Sequence, residues 1–426
     1  MRLAVPALGA LAAEPLFLLA DSAIVGHLGT PQLAALGLAG TVVQTLLGLF
    51  VFLAYATTAS VARALGAGDR RTALTYGIDG LWLAIGLGVV ITVVGAVTAP
   101  WIIAAFAPPP EVAGHASTYL RIALLGLPAM FVAFAGTGVL RGLHDMRTPL
   151  VVAGVSYVAN IVLNLLLVYG VGLGLPGSAW GTVLAQVGGA VAYVVMVVRG
   201  ARRYGAPLRP DRRGIRAAAR AGGALFVRTV TLRAAILVTT FVATSFGAVA
   251  LAAHQVAFTL WNGLALALDA IAIAGQALVG RALGAGDVTS TRAATRRMVE
   301  WSVAAGLVAA IVLVLARPLY VPLFTTDPDV RDLLSRVILV LALFLPAAGV
   351  VFALDGVLIG AGDGRYLALA GVWTLVAYVP LAAWAYFARS GLPGLWWAFG
   401  GFMLARLATL VWRERQDTWL VTGVRR

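Results

Sequence analysis

Cysteine is absent from this chain, and so is lysine: all 31 basic residues are arginine. Without cysteine there is no disulfide framework, no Fe–S cluster and no thiol nucleophile. Without lysine there is no GxxxxGK[ST] phosphate loop and no Schiff-base chemistry. Charge of either sign is scarce, at 11% of 426 residues, where a water-soluble protein keeps about a quarter. The four histidines, His27, His115, His144 and His254, are too far apart in sequence for metal-ligand spacing, and no GxSxG elbow or HExxH helix occurs. These gaps leave no footing for an enzyme, and neither a metal nor a cofactor is expected.

What fills the chain instead is apolar sequence, 61% of residues, with a mean hydropathy of +0.95. So little charge means that most of the surface faces something other than water, and lipid is the natural solvent. The net charge of +14 does not point to nucleic acid, which needs a water-facing basic patch. Here the arginines come in short bursts between apolar runs. Stretches long enough to span a bilayer fall near 4–25, 33–58, 77–106, 117–140, 149–170 and 178–198, then near 222–244, 251–278, 298–324, 333–357, 366–388 and 393–412. The opening MRLAVPALGALAA has the look of a short signal peptide, but its apolar pattern continues past Glu14 to Val25 and reads as an uncleaved first helix.

The spans predict an all-α polytopic membrane protein of twelve helices in two six-helix bundles. The bundles are 1–198 and 222–413, separated by an arginine-rich linker at 199–221 and followed by a tail at 414–426. The N-terminus, alternate loops, linker and tail hold 23 arginines, whereas the opposite loops hold only Arg317, Arg331 and Arg389. The positive-inside rule therefore puts both termini in the cytoplasm, with the protein in the cell's inner (plasma) membrane.

One heptapeptide, RALGAGD, occurs twice, at Arg63–Asp69 and Arg281–Asp287, 218 residues apart. At that offset Gly29 falls on Gly247, Pro100 on Pro318, Pro110 on Pro328 and Pro128 on Pro346, and GVLRGLHDMR at 138–147 falls on GVLIGAGDGR at 356–365. After one deletion, GLPGSAW at 174–180 falls on GLPGLWW at 391–397. Matched prolines in a single register mark an internal duplication. Each copy holds six spans, so the copies enter the membrane in the same direction, related by an axis along its normal. The glycines of RALGAGD are expected to permit a tight turn between spans.

Ionisable groups inside spans are costly and invite a reason. Glu14 and Asp21 lie seven apart, on one face of the first span, and Asn160 and Asn164 lie four apart on one face of the fifth. Counted from the span ends, Asp21 and Asn164 reach similar depth and are placed to meet. Gln255, Asn262, Asp269 and Gln276 recur every seven residues along the eighth span, either lining a cavity or joining it to its neighbour. Arg233, midway along the seventh span, has Glu14, Asp269 and Asp355 as candidate partners. Asp21, Glu14, Asn160 and Asn164 are the candidate ion-coupling set; Gln255, Asn262, Asp269, Arg233 and Asp355 are candidates for a substrate cavity. The same residues also suit a purely structural hydrogen-bond network.

EPLFLLADSAIVGHLGTPQLAALGLA at 14–39, GVLRGLHDMRTP at 138–149, NIVLN at 160–164 and ALDAIAIAGQALVGRALGAGD at 267–287 resemble the multidrug and toxic compound extrusion (MATE) family, in its DNA-damage-inducible protein F branch. The resemblance implies a V-shaped pair of six-helix bundles that exports amphipathic, often cationic compounds in exchange for protons or sodium. It also matches Asp21 to the family's first-helix acid and Asn160 to a neighbouring asparagine. Asn164 stands where some relatives carry a second aspartate. The expected function is a proton-coupled exporter of organic compounds, with a sodium-coupled exporter and a lipid or lipid-linked glycan flippase as alternatives. Expected partners are a small organic substrate, the coupling ion and membrane lipid, for a monomer.

Overall fold

The structure, a computed structural model, describes residues 20–424, so Glu14 and most of the first expected span lie outside the described residues. The described chain is helical, with no strand among those residues. Residues 20–26 form helix α1. Then follow α2 (Thr30–Phe50), α3 (Phe52–Gly66), α4 (Arg70–Ala105), α5 (Pro110–Leu124), α6 (Leu127–Gly142), α7 (Arg147–Leu165) with a π-helical extension Leu166–Gly170, and α8 (Leu175–Arg203). The second half comprises α9 (Arg212–Ser245), α10 (Ala248–Gly284), α11 (Val288–Leu315), α12 (Arg317–Phe324), α13 (Pro328–Gly360), α14 (Gly364–Phe387) and α15 (Gly391–Arg415). Among the described residues ten segments are long and apolar enough to cross a membrane, and α5 with α6, bent by 45°, make an eleventh. The chain is a multi-pass membrane protein.

It divides into two compact units, Met1–Gly222 and Gly223–Arg426. Most of the stretch read as a linker is folded into the end of α8 and the first turns of α9, leaving 204–211 as the connection. Those first turns pack on unit 1: a Cβ at Gly214 would overlap the Asp79 carboxylate, and one at Gly222 would meet the Phe52 ring at 2.6 Å.

The duplication is written in backbone geometry. Gly68 and Gly286, the last glycines of the two RALGAGD copies, have φ of +79° and +76°, which an L side chain rarely adopts. Asp69 and Asp287 then cap α4 and α11, each accepting at 2.8 Å from a backbone N–H three residues on, Thr72 and Ser290. Those hydrogen bonds hold both carboxyls below the ordinary aspartate value, the side-chain bonds from Thr72 and Ser290 contributing most.

Close helix approach repeats at the same offset. A Cβ at Gly138 would lie 2.6 Å from the Ala54 carbonyl oxygen, and one at Gly356 would lie 2.5 Å from that of Ala272. Gly88 meets Pro128 as Gly306 meets Pro346, at 2.5 and 2.9 Å to the proline Cα. In lipid, where tails compete equally for apolar side chains, small residues of this kind let backbones touch and carry the packing.

Candidate functional site

The first unit gathers its polar groups around Asp21. The side chain is buried, at 5% exposure, and Oδ1 accepts two hydrogen bonds: from Asn164 Nδ2 at 2.7 Å and from Ser178 Oγ at 2.8 Å. Asn164 Nδ2 also donates to Asn160 Oδ1 at 3.1 Å, and Asn160 Nδ2 donates to Thr182 Oγ1 at 2.9 Å. The Tyr119 hydroxyl lies beside Ser178 and Thr182, and Tyr169 donates to the Ile24 carbonyl at 2.6 Å, tying α1 to the π-helical segment. Three helices thus meet: α1 supplies the acid, α7 two amides one turn apart, and α8 two hydroxyls one turn apart.

Gly181 makes this meeting possible, because a Cβ there would lie 2.1 Å from Asn164 Oδ1. That oxygen is buried and has no donor. Asp21 itself makes no ion pair among the described residues. A carboxylate buried without a counter-ion is stable only if it takes up a proton or attracts a cation.

The sequence pairing of Asp21 with Asn164 corresponds to a direct hydrogen bond here, and Asn160 joins them through Asn164. Ser178 and Thr182 escaped the sequence reading. Their signal was a break in the repeat, since the second copy of GLPGSAW carries Leu395 opposite Ser178. Glu14 lies outside the described residues.

The second unit departs further from expectation. Arg233 is exposed and pairs with neither Asp269 nor Asp355. The buried face of α9 runs through Leu225, Ala235, Thr239 and Val242, and Arg233 sits about 140° around the helix from Arg228, which shares that face. It is Arg228 that holds Asp355, in a two-point contact with Nε–Oδ1 at 3.1 Å, and Arg406 Nη2 approaches the same carboxylate at 3.4 Å. Asp355 is therefore a buried, paired acid. Both arginines belong to the few that fall inside spans, and each needed an acid.

The seven-residue stripe on α10 splits along its length. Gln255 and Asn262 are exposed, Asp269 is half-buried, and Gln276 is buried, because α13 covers that end of the helix. A Cβ at Gly360 of α13 would lie 2.5 Å from the Gln276 carbonyl oxygen.

The repeat also identifies what faces Asp21's counterpart. Asp21 maps to Thr239 and Asn160 to Tyr378, both at the 218 offset. Thr239 Oγ1 and Tyr378 OH are 2.6 Å apart and buried. Beyond the π-helical segment the offset becomes 217, so the extra residue of the first copy is absorbed there, as a π-bulge accommodates an insertion. Thr182, which bonds Asn160, then maps to Phe399, whose ring lies 6.4 Å from that of Tyr378. The second copy keeps the geometry and drops the charge.

Duplicated helical units with polar groups buried inside the membrane are an architecture common among transporters. The comparisons with known proteins specify which. The MatE family profile matches residues 6–166 and 226–384, and the chain belongs to this family, as a multidrug and toxic compound efflux transporter. Among its relatives, Protein DETOXIFICATION 44, chloroplastic, of Arabidopsis thaliana is 30% identical over 97% of this chain and 81% of its own length. The DNA damage-inducible protein F of Escherichia coli is 28% identical over 98% and 93%. In fold, the chain matches a Vibrio cholerae MATE transporter in its bent form with a TM-score of 0.89 at 22% identity, covering 98% of this chain and 97% of that one. Such structures have twelve helices in two repeats.

Proposed function

We propose that this transporter exports amphipathic, often cationic organic compounds in exchange for protons, and that Asp21 is the group that exchanges them. The observation that carries this reading is a buried carboxylate with two neutral donors and no basic partner. When ionised, Asp21 takes both donors as they stand and offers its charge to a cation. When protonated on Oδ2, it keeps both donors on Oδ1 and offers no charge. Proton and cationic substrate then compete for one site, and by linkage each weakens the other's binding equally. Glu14, seven residues earlier in the sequence, is a second acid for the same coupling set.

The exposed polar residues of the second unit, Gln255, Asn262 and Arg233, belong to the substrate path in this reading, since polar groups at span depth avoid hydrocarbon. Asp269 is half-buried beside them. The protein works as a monomer in the plasma membrane with both termini in the cytoplasm.

The test is transport in proteoliposomes with an imposed pH or sodium gradient and tetraphenylphosphonium as the cationic probe. Asp21→Asn should insert and fold, bind the probe with no pH dependence, and lose export driven by a pH gradient. Normal export by Asp21→Asn would make Asp21 structural. Export by the unaltered protein that follows sodium and ignores pH would replace the proton with sodium.

A further inference from the structure

Between residues 199 and 220 the chain carries eight arginines and a single acid, Asp211. That acid is already engaged within the fold. Its Oδ1 accepts from the Arg213 N–H and its Oδ2 from the Gly214 N–H, both at 3.1 Å, which caps the start of α9. Among the described residues, Arg209, Arg212, Arg213, Arg216 and Arg220 form no ion pair. Four of these five share one side of α9: Arg212, Arg213, Arg216 and Arg220 fall within an arc of about 100°, and all four are exposed. The opposite side carries Gly214 and Gly222, held against Asp79 and Phe52 of unit 1. With that side docked, the arginines are fixed facing outward.

The level of this face in the membrane follows from α4. Trp82 is 39% exposed and shares a side of that helix with Val89 and Val93, exposed by 50% and 59%. The valines belong to the apolar span. The tryptophan stands about 10 Å nearer the start of α4, as indoles do at the boundary between hydrocarbon and headgroups. Its Nε1–H donates to the Leu208 carbonyl at 3.0 Å, three residues before Asp211. At the start of α4, Arg70 Nη1 donates to the Tyr204 hydroxyl at 2.5 Å. The connection is therefore tied along the lipid-facing side of α4, and α9 begins at headgroup level. Guanidinium groups at that level suit phosphates, which they grip with two parallel N–H bonds.

We propose that Arg212, Arg213, Arg216 and Arg220 form a binding surface for the anionic phospholipid headgroups of the adjoining leaflet, of which phosphatidylglycerol is the simplest. The lipid supplies the negative charge that Asp211 does not. It does so at the start of α9, the helix that leads out of unit 1 into the second half of the chain.

The test uses the full chain in nanodiscs of phosphatidylcholine, with a trace of spin-labelled phosphatidylglycerol or spin-labelled phosphatidylcholine. Electron paramagnetic resonance reads the fraction of each label immobilised on the protein. The unaltered protein should prefer phosphatidylglycerol by about fivefold or more, the effect of a single arginine near an anionic surface. Sodium chloride at about 1 M should remove that preference by screening. Arg216→Gln combined with Arg220→Gln should bring it below about twofold. Arg296→Gln combined with Arg297→Gln removes the same charge from α11, where both arginines already pair with Glu300, and should leave it unchanged. The proposal is overturned if the unaltered protein shows no preference, or one that salt does not touch. It is equally overturned if the α9 variant keeps the preference or the α11 variant loses as much. A short single-stranded DNA that binds these arginines more tightly than phosphatidylglycerol does would overturn lipid as the occupant.

Discussion

Gly181→Ala tests the polar site through a single methyl group. The new Cβ would stand 2.1 Å from Asn164 Oδ1, and an ordinary carbon–oxygen contact needs about 3.4 Å. The amide must therefore withdraw by about 1.3 Å, or α8 must move by as much. A withdrawal of that size takes the 2.7 Å bond from Asn164 to Asp21 beyond hydrogen-bond range. Overpacking of this kind costs about 1–3 kcal/mol, against about 0.5–1 kcal/mol gained by replacing glycine within a helix. Gly188→Ala is the control: it lies two turns along the same helix and its Cβ would meet nothing within 4 Å. Thermal unfolding in detergent should show Gly181→Ala below the parent and Gly188→Ala at or above it. In proteoliposomes, Gly181→Ala should also shift the pH dependence of probe binding, because the donor that favours ionised Asp21 has been pushed away. Equal stability of the two variants, with an unshifted pH dependence in both, would refute the contact and the argument built on it.

Tyr378→Phe removes one of two hydrogen bonds at Thr239, which keeps its bond to the Ala235 carbonyl at 2.8 Å, and should cost about 0.5–1.5 kcal/mol in thermal unfolding, yet leave the pH dependence of transport unchanged. Gly356→Ala and Gly138→Ala, equivalent positions, press a Cβ onto helix backbone rather than a yielding side chain; both should be among the most damaging glycine replacements by folded yield and melting temperature. Asp69 and Asp287 titrate below their unfolded value, so the helix-capping stability they give is complete above that value and is lost as pH falls through the folded one. Hydrogen exchange in the first turns of α4 and α11 should therefore accelerate in acid, and Asp69→Ala should show the faster exchange already at neutral pH.

The spans, the duplication and the turn at RALGAGD were legible because each rests on a local rule: apolar length, a register of prolines, and glycines at positive φ. The meeting of Asp21 with Asn164 was legible from depth alone, since helices crossing one slab align their contents by counting. What counting does not give is azimuth. Arg233 and Arg228 differ by little more than one turn in depth, and only the packing of α9 decides which of them faces Asp355. For the same reason the α10 stripe looked uniform in sequence, although α13 buries Gln276 and leaves Gln255 open. The deletion between the copies was visible, but its placement in a π-helical segment depends on hydrogen bonds such as Val171 N–H to Leu166 O at 2.8 Å, which no composition rule foretells.

The hydroxyl pair Thr239–Tyr378 bears on how far such an exporter can concentrate its cargo. A threonine does not titrate and a tyrosine does so ordinarily near 10, so doubling the helices did not double the exchanging groups at this position. If Asp21 is the sole exchanging group, one proton enters for each molecule expelled. For a monovalent cation that cycle moves no net charge, so the membrane voltage contributes nothing and only the pH difference drives it. Each unit of that difference then supports about a tenfold concentration ratio and no more. An acid restored at position 239 would be the simplest way for this architecture to raise that ceiling.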